Sequence, residues 1–277
     1  MEKEFYVLLP SNTKSDEFPN NTISNFSIGL PKQLELGSDS WETSLVSISY
    51  PHTWYNIDRS FAYINIKETI VSTLVNNDPI INKQKLLFSP GYYNSGKEIV
   101  EKLNTTLKDH SYRSKFTYDD QSNKVSVLIS LKPDKEESIV LPKDLASILG
   151  FHTRYLNTSY PIFPVINPND PEEGTFDKID ATSCVDLNIK THNLFIYTNI
   201  VKDTLVGNYF VPLLRTVPTR EKNRNTYVSV SFTNPYYLPL VSNYIKQITI
   251  DIKDDQGENI KFQSGKVTAK LHFRIRE

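Results

Sequence analysis

Ile248-Thr249-Ile250-Asp251-Ile252-Lys253 leads into Asp254-Asp255-Gln256-Gly257, and Val267-Thr268-Ala269-Lys270-Leu271-His272-Phe273-Arg274-Ile275-Arg276 follows. Apolar and polar residues alternate in both runs. A period of two puts one face of a strand inside and the other outside. Two such runs around an Asp/Gly turn read as an antiparallel pair.

The pattern extends upstream. Phe26, Ile28 and Leu30 alternate with Ser27 and Gly29, and Val228, Val230 and Phe232 with Ser229 and Ser231. Trp41–Tyr50, Phe61–Ile66 and Cys184–Val201 are further strand candidates, the last broken near Thr191-His192-Asn193. Val206–Val217 carries Pro212, so it reads as an edge strand or two short pieces. Many short strands with turns between them give an all-β chain, a sandwich or jelly roll. The 16 Tyr, 14 Phe and 16 Pro agree: aromatics suit pleated surfaces, and proline breaks helices.

The middle of the chain follows another period. Ser95-Gly96-Lys97-Glu98 has the capping-box form, and Ile99, Val100, Leu103 and Leu107 share a helical face. A hairpin is expected from Phe116–Tyr118 and Val125–Leu131, then a short helix over Pro142–Leu149 stopped by Gly150. Residues 92–151 therefore read as a small inserted α+β module. The flanking residues 1–91 and 152–277 read as one discontinuous sandwich. Residues 157–183 form a long connection rich in Pro and Asn, the length at which loops are usually functional or partner-bound.

Charge bears on function. The chain holds 31 basic and 32 acidic residues, a net charge of −1, so nucleic acid is not indicated as a partner. Arg215, Arg220, Lys222 and Arg224 form a local basic patch without interleaved aromatics. The apolar run Phe5–Leu9 is too short for a secretion signal or a membrane span, so synthesis in the cytosol is expected.

Catalytic patterns are missing. His52, His110, His152, His192 and His272 are scattered, Cys184 is the lone cysteine, and no phosphate loop or nucleophile elbow occurs. Cys184 reads as a small filler residue in a strand. Asn167, Asn169, Asp170, Glu172 and Glu173 could cage a hard cation but lack the spacing of a calcium loop. No catalytic, metal or cofactor site is assigned, and the chain reads as a non-enzyme.

Aromatic clusters stand out instead. Tyr50-Pro51-His52-Thr53-Trp54-Tyr55-Asn56 and Asn234-Pro235-Tyr236-Tyr237-Leu238-Pro239 follow strand ends. Trp54, Tyr55, Tyr236 and Tyr237 read either as a subunit interface or as plugs over the end of the sandwich.

Ordered stretches along the chain resemble one family. They include Phe5-Tyr6-Val7-Leu8-Leu9-Pro10-Ser11-Asn12, Phe18-Pro19-Asn20-Asn21-Thr22-Ile23-Ser24-Asn25-Phe26 and the Tyr50–Asn56 cluster. Gly91-Tyr92-Tyr93, Leu145–Phe151, Val211-Pro212-Leu213-Leu214-Arg215 and Ile250–Gly257 continue the set. Together they resemble the penton, or minor capsid, protein of Polinton/Maverick elements and adintoviruses. The resemblance implies a single jelly roll and a homopentamer at each five-fold vertex of a virion capsid. It also implies a major capsid protein of double jelly-roll type as partner. The alternative function is a β-sandwich binding module that grips a glycan or receptor through its loop aromatics.

Overall fold

A computed structural model of the chain describes residues 3–13, 16–70, 80–132, 135–152, 175–219 and 226–276. In chain order these form β1 (Glu4–Pro10), β2 (Asn25–Glu35), β3 (Trp41–Pro51), β4 (Tyr63–Ile70), β5 (Ile80–Leu87), α1 (Gly96–Asp109), β6 (Lys115–Asp119), β7 (Lys124–Lys132) and β8 (Lys135–Val140). There follow α2 (Lys143–Ile148), β9 (Thr175–Asp180), β10 (Asn193–Thr198), β11 (Thr204–Val206), β12 (Tyr209–Val211) and β13 (Leu213–Pro218). Last come β14 (Tyr227–Ser231), β15 (Leu238–Pro239), β16 (Tyr244–Lys253) and β17 (Thr268–Ile275).

Two compact units result: Met1–Trp54 with Lys190–Glu277, and Tyr55–Ile189. The first is the sandwich. One sheet runs β1-β17-β3-β14, with β15 also on β3, and the other runs β13-β10-β16-β2. The eight long strands, taken in chain order, are nested. First pairs with last (β1 with β17), second with seventh (β2 with β16), third with sixth (β3 with β14) and fourth with fifth (β10 with β13). A long ribbon wrapped in this way is a jelly roll.

The alternating residues supply its core. Ile248, Ile250 and Ile252 from β16 face Leu271, Phe273 and Ala269 from β17, all fully buried, with Phe26, Leu45 and Ile196 among them. Each such side chain contributes about 1.5–3 kcal/mol when it leaves water.

The second unit is a mixed layer. Its sheet runs β5-β4-β8-β7-β6, with β9 pairing β7. Helix α1 starts at Ser95, whose hydroxyl accepts the Glu98 N–H at 3.2 Å, and lays Ile99, Leu103 and Leu107 into the core with Phe116, Val125 and Val127. The Glu98 carboxylate accepts from the Asn94 N–H rather than that of Ser95, so the capping box is shifted by one residue.

The insertion is larger than the sequence reading of 92–151. Residues 55–91 join it because β4 pairs with both β5 and β8. Residues 152–189 join it because β9 pairs along β7. Of the Phe61–Ile66 candidate, residues 63–66 therefore lie in β4 of this sheet and not in the sandwich. Cys184 lies in no strand: it is exposed, and its thiol donates to the Ser122 carbonyl at 3.3 Å. Asn167, Asn169, Asp170, Glu172 and Glu173 lie outside the described residues.

Gly150 closes α2. Its φ is +84°, its N–H bonds the Ser147 carbonyl at 3.1 Å, and the Phe151 N–H bonds that of Ala146 at 2.8 Å. This is a Schellman cap. A Cβ on Gly150 would collide with the Ser183 carbonyl, whereas one on Gly207, at φ +60°, would meet nothing. Gly207→Ala is expected to cost about 1–2 kcal/mol, the left-handed penalty alone. Gly150→Ala should exceed roughly 3 kcal/mol, beyond the ordinary range of point substitutions. Urea unfolding with unchanged slopes measures both; equal midpoints would contradict the packing around Gly150.

Candidate assembly surface

The polar members of β17 face outward, and the register shows what they meet. Tyr6 of β1 and Ser44 of β3 flank His272, Leu8 and Ser47 flank Lys270, and Glu4 and Glu42 flank Arg274. These residues form a connected layer. The Tyr6 ring stacks on His272 at 4.4 Å, and Lys270 Nζ sits 4.4 Å over the Tyr6 ring. Tyr237 Oη lies 2.7 Å from His272 Nδ1, and His272 Nε2 is 3.2 Å from Glu4 Oε2. The Arg274 guanidinium rests 3.5 Å over the Tyr237 ring, and its Nε donates to Glu42 Oε1 at 2.7 Å. Glu42 is buried, so this charge-assisted bond satisfies a carboxylate that would be costly alone.

Four residues singled out from sequence occupy three settings. Trp54 is buried at the end of the sandwich core, against His52 at 4.2 Å and Phe262 at 5.7 Å. Tyr55 is exposed and belongs to the second unit. Tyr237 is half-buried by the contacts above, while its neighbour Tyr236 is exposed. In the basic patch, the Arg215 guanidinium lies 4.3 Å over the Phe232 ring. Arg220, Lys222 and Arg224 lie outside the described residues.

Phe5–Leu9 shows in sequence as a short apolar run and as part of the family resemblance, and neither marks Tyr6 and Leu8 as members of an outer face. The alternation of Lys270, His272 and Arg274 was the available signal for the outer face.

Other places offer less chemistry. A cavity of about 340 Å³ in the second unit is lined by Ser147, His152, Cys184 and Asp186 among others. The Cys184 thiol is bonded to the Ser122 carbonyl. Among the described residues no three His, Cys, Asp or Glu side chains gather to hold a metal ion, and no helix is long and apolar enough to cross a membrane.

On the opposite sheet, Asp251 stands between Asn25 and Tyr197 on the outer face. Burial pushes its carboxyl above the usual range, and Lys253, at 3.7 Å, offsets part of this.

No family model matches the chain, and no curated protein matches it in sequence. Solved structures do match in shape. The chain is similar to the mavirus penton protein. Its selenomethionine crystal structure shares 12% identity at a TM-score of 0.47, over 98% of this chain and 100% of that one. The cryo-EM structure of the Sputnik virophage is also similar, at 14% identity and a TM-score of 0.48, over 99% of this chain and 98% of that one.

Two outcomes follow from this chemistry. Tyr237→Phe removes a partner of the buried His272 and should lower stability by about 1–3 kcal/mol, with Tyr236→Phe near zero; equal effects in urea unfolding would contradict the layer. Asp251 has a folded pKa above its unfolded value, so the folded state is favoured while the carboxyl is protonated. That advantage disappears as pH rises through the folded value. Asp251→Asn should therefore raise Tm at neutral pH, with the gain shrinking as pH falls through the raised folded value and gone below about pH 4, the unfolded value. A gain that persists undiminished in acid would contradict the burial effect.

Proposed function

We propose that this chain is a structural minor capsid protein, a penton whose five copies close a ring at an icosahedral vertex beside a double jelly-roll major capsid protein. The observation that carries this reading is the nested strand order with its open flanks. On the first sheet β1 and β14 are edges, and on the second β13 and β2 are. Exposed edges invite pairing with another chain, and soluble proteins usually blunt them. Here β1 instead presents Tyr6 and Leu8 outward. A ring of identical copies needs two different patches that meet head to tail, and a sandwich offers one on each flank. The ordered sequence resemblance to penton proteins supports the same reading.

The binding-module alternative has less behind it. Its groove needs Trp54 and Tyr237 free, yet Trp54 is in the core and Tyr237 is held by His272 and Arg274.

Native mass spectrometry of the full chain over a range of concentrations tests the proposal. A pentamer that grows in with concentration is expected, together with incorporation into particles formed by co-expressed major capsid protein. A monomer at every concentration that also stays out of such particles would overturn it.

A further inference from the structure

Strands β11 and β12 form a two-stranded sheet of their own, joined at Gly207-Asn208, and among the described residues they pair with no strand of the sandwich. An isolated hairpin of this size is marginal in water. Its composition sharpens the problem. No residue from Thr204 to Val211 is charged. Leu205 and Phe210 are direct cross-strand partners on one face, 64% and 73% exposed. A cross-strand apolar pair contributes at most about 1 kcal/mol, too little to hold such a hairpin against solvent by itself. Contiguous exposed apolar surface of this kind marks a contact site.

The position of the hairpin selects the partner. It connects β10 to β13, and β13 is an edge of the second sheet. At its foot Val201 bridges Leu240 and the Lys202 N–H bonds the Pro239 carbonyl, beside β15, which pairs with β3. The hairpin thus leaves the sandwich on the β13–β14 flank. Tyr6 and Leu8, 58% and 61% exposed, sit on β1 at the opposite flank, with β17 and β3 in between. One chain therefore carries two exposed apolar features on opposite sides, as a head-to-tail contact between copies requires.

Each feature is a neighbouring pair of large exposed apolar side chains. Leu205 and Phe210 are about 5 Å apart as a cross-strand pair. Tyr6 and Leu8 are about 7 Å apart as alternate residues of a strand. At the hairpin's foot Lys202 and Asp203 are exposed, and beside the β1 patch stand Glu4 and Lys270, one charge of each sign on either side.

The geometry points to the β11–β12 hairpin as a docking arm that seats on β1 of a second copy of this chain, adding β12 to its open edge so that Phe210 stands beside Tyr6 and Leu8 with Leu205 next to it. Edge addition supplies the backbone bonds, and the side-chain pair supplies specificity. The inference rests on the self-assembly reading and specifies its interface.

The test uses the full chain. Leu205→Ser/Phe210→Ser and Tyr6→Ser/Leu8→Ser should each raise the concentration needed for assembly by roughly 30-fold or more, the loss expected for a hot-spot pair. Monomer Tm of the Leu205→Ser/Phe210→Ser variant and of Leu8→Ser alone should stay near wild type, because Leu205, Phe210 and Leu8 are exposed. In a Cys184→Ser background, Leu8→Cys with Phe210→Cys should form disulfides between copies at assembling concentration, visible as a ladder on a non-reducing gel. Wild-type assembly that both double variants reproduce, or the absence of any ladder, would overturn the docking arm and leave the assembly reading standing. A wild type that never assembles would overturn both. Variants that assemble normally but no longer join major capsid particles would show that the arm's partner is a different protein.

Discussion

The sandwich depends on a bond network that spans almost the whole chain: Glu4–Pro10 zips onto Thr268–Ile275. That pairing places Phe5, Val7 and Leu9 beside Leu271 and Phe273 in the core and holds Tyr6 and Leu8 on the outside. The other paired strands of the sandwich lie between these two in sequence. A one-residue slip would exchange the core and outer faces of β1. Contacts so distant in sequence are slow to form, and their loop-closure cost must be met before packing rewards it.

The same logic explains why a large insertion is tolerated. The second unit enters between the third and fourth long strands and has its own core around Ile64, Leu103 and Phe116. Closure entropy grows only with the logarithm of loop length. A self-contained unit therefore adds little penalty to the ribbon that surrounds it.

Much of the architecture was legible in the sequence. Strands with one buried face announce themselves by period two, as in Ile248–Ile252 and Val267–Ile275. Helix α1 announced itself through Ser95 and its apolar stripe. The edges of the insertion were not legible, because β4 alternates like a sandwich strand and only its partners, β5 and β8, reveal its sheet. Val206–Val217 reads in sequence as an edge strand or two short pieces; it divides at Pro212 into β12 and the edge strand β13, and the pairing of β12 with β11 is what the pattern does not show. Gly207-Asn208 is a two-residue turn signal that separates them. The outer-face layer was half visible: Lys270, His272 and Arg274 show the outward side, but Glu4, Tyr6, Glu42 and Tyr237 reach them only through long-range pairing.

The outer surface combines two opposed tendencies. Near Glu42 and His272 it is sealed by the Arg274–Glu42 ion pair and stacked rings, while at β1 and the β11–β12 tip it leaves bulky apolar groups in water. In the proposed ring, the open flanks are completed by neighbours. Amide hydrogen exchange, followed by mass spectrometry at concentrations below and above assembly, tests this most directly. Peptides covering Glu4–Pro10 and Thr204–Val211 are expected to slow together on assembly while the core strands stay unchanged. Equal exchange of both segments at every concentration would contradict completion of the flanks by sister copies.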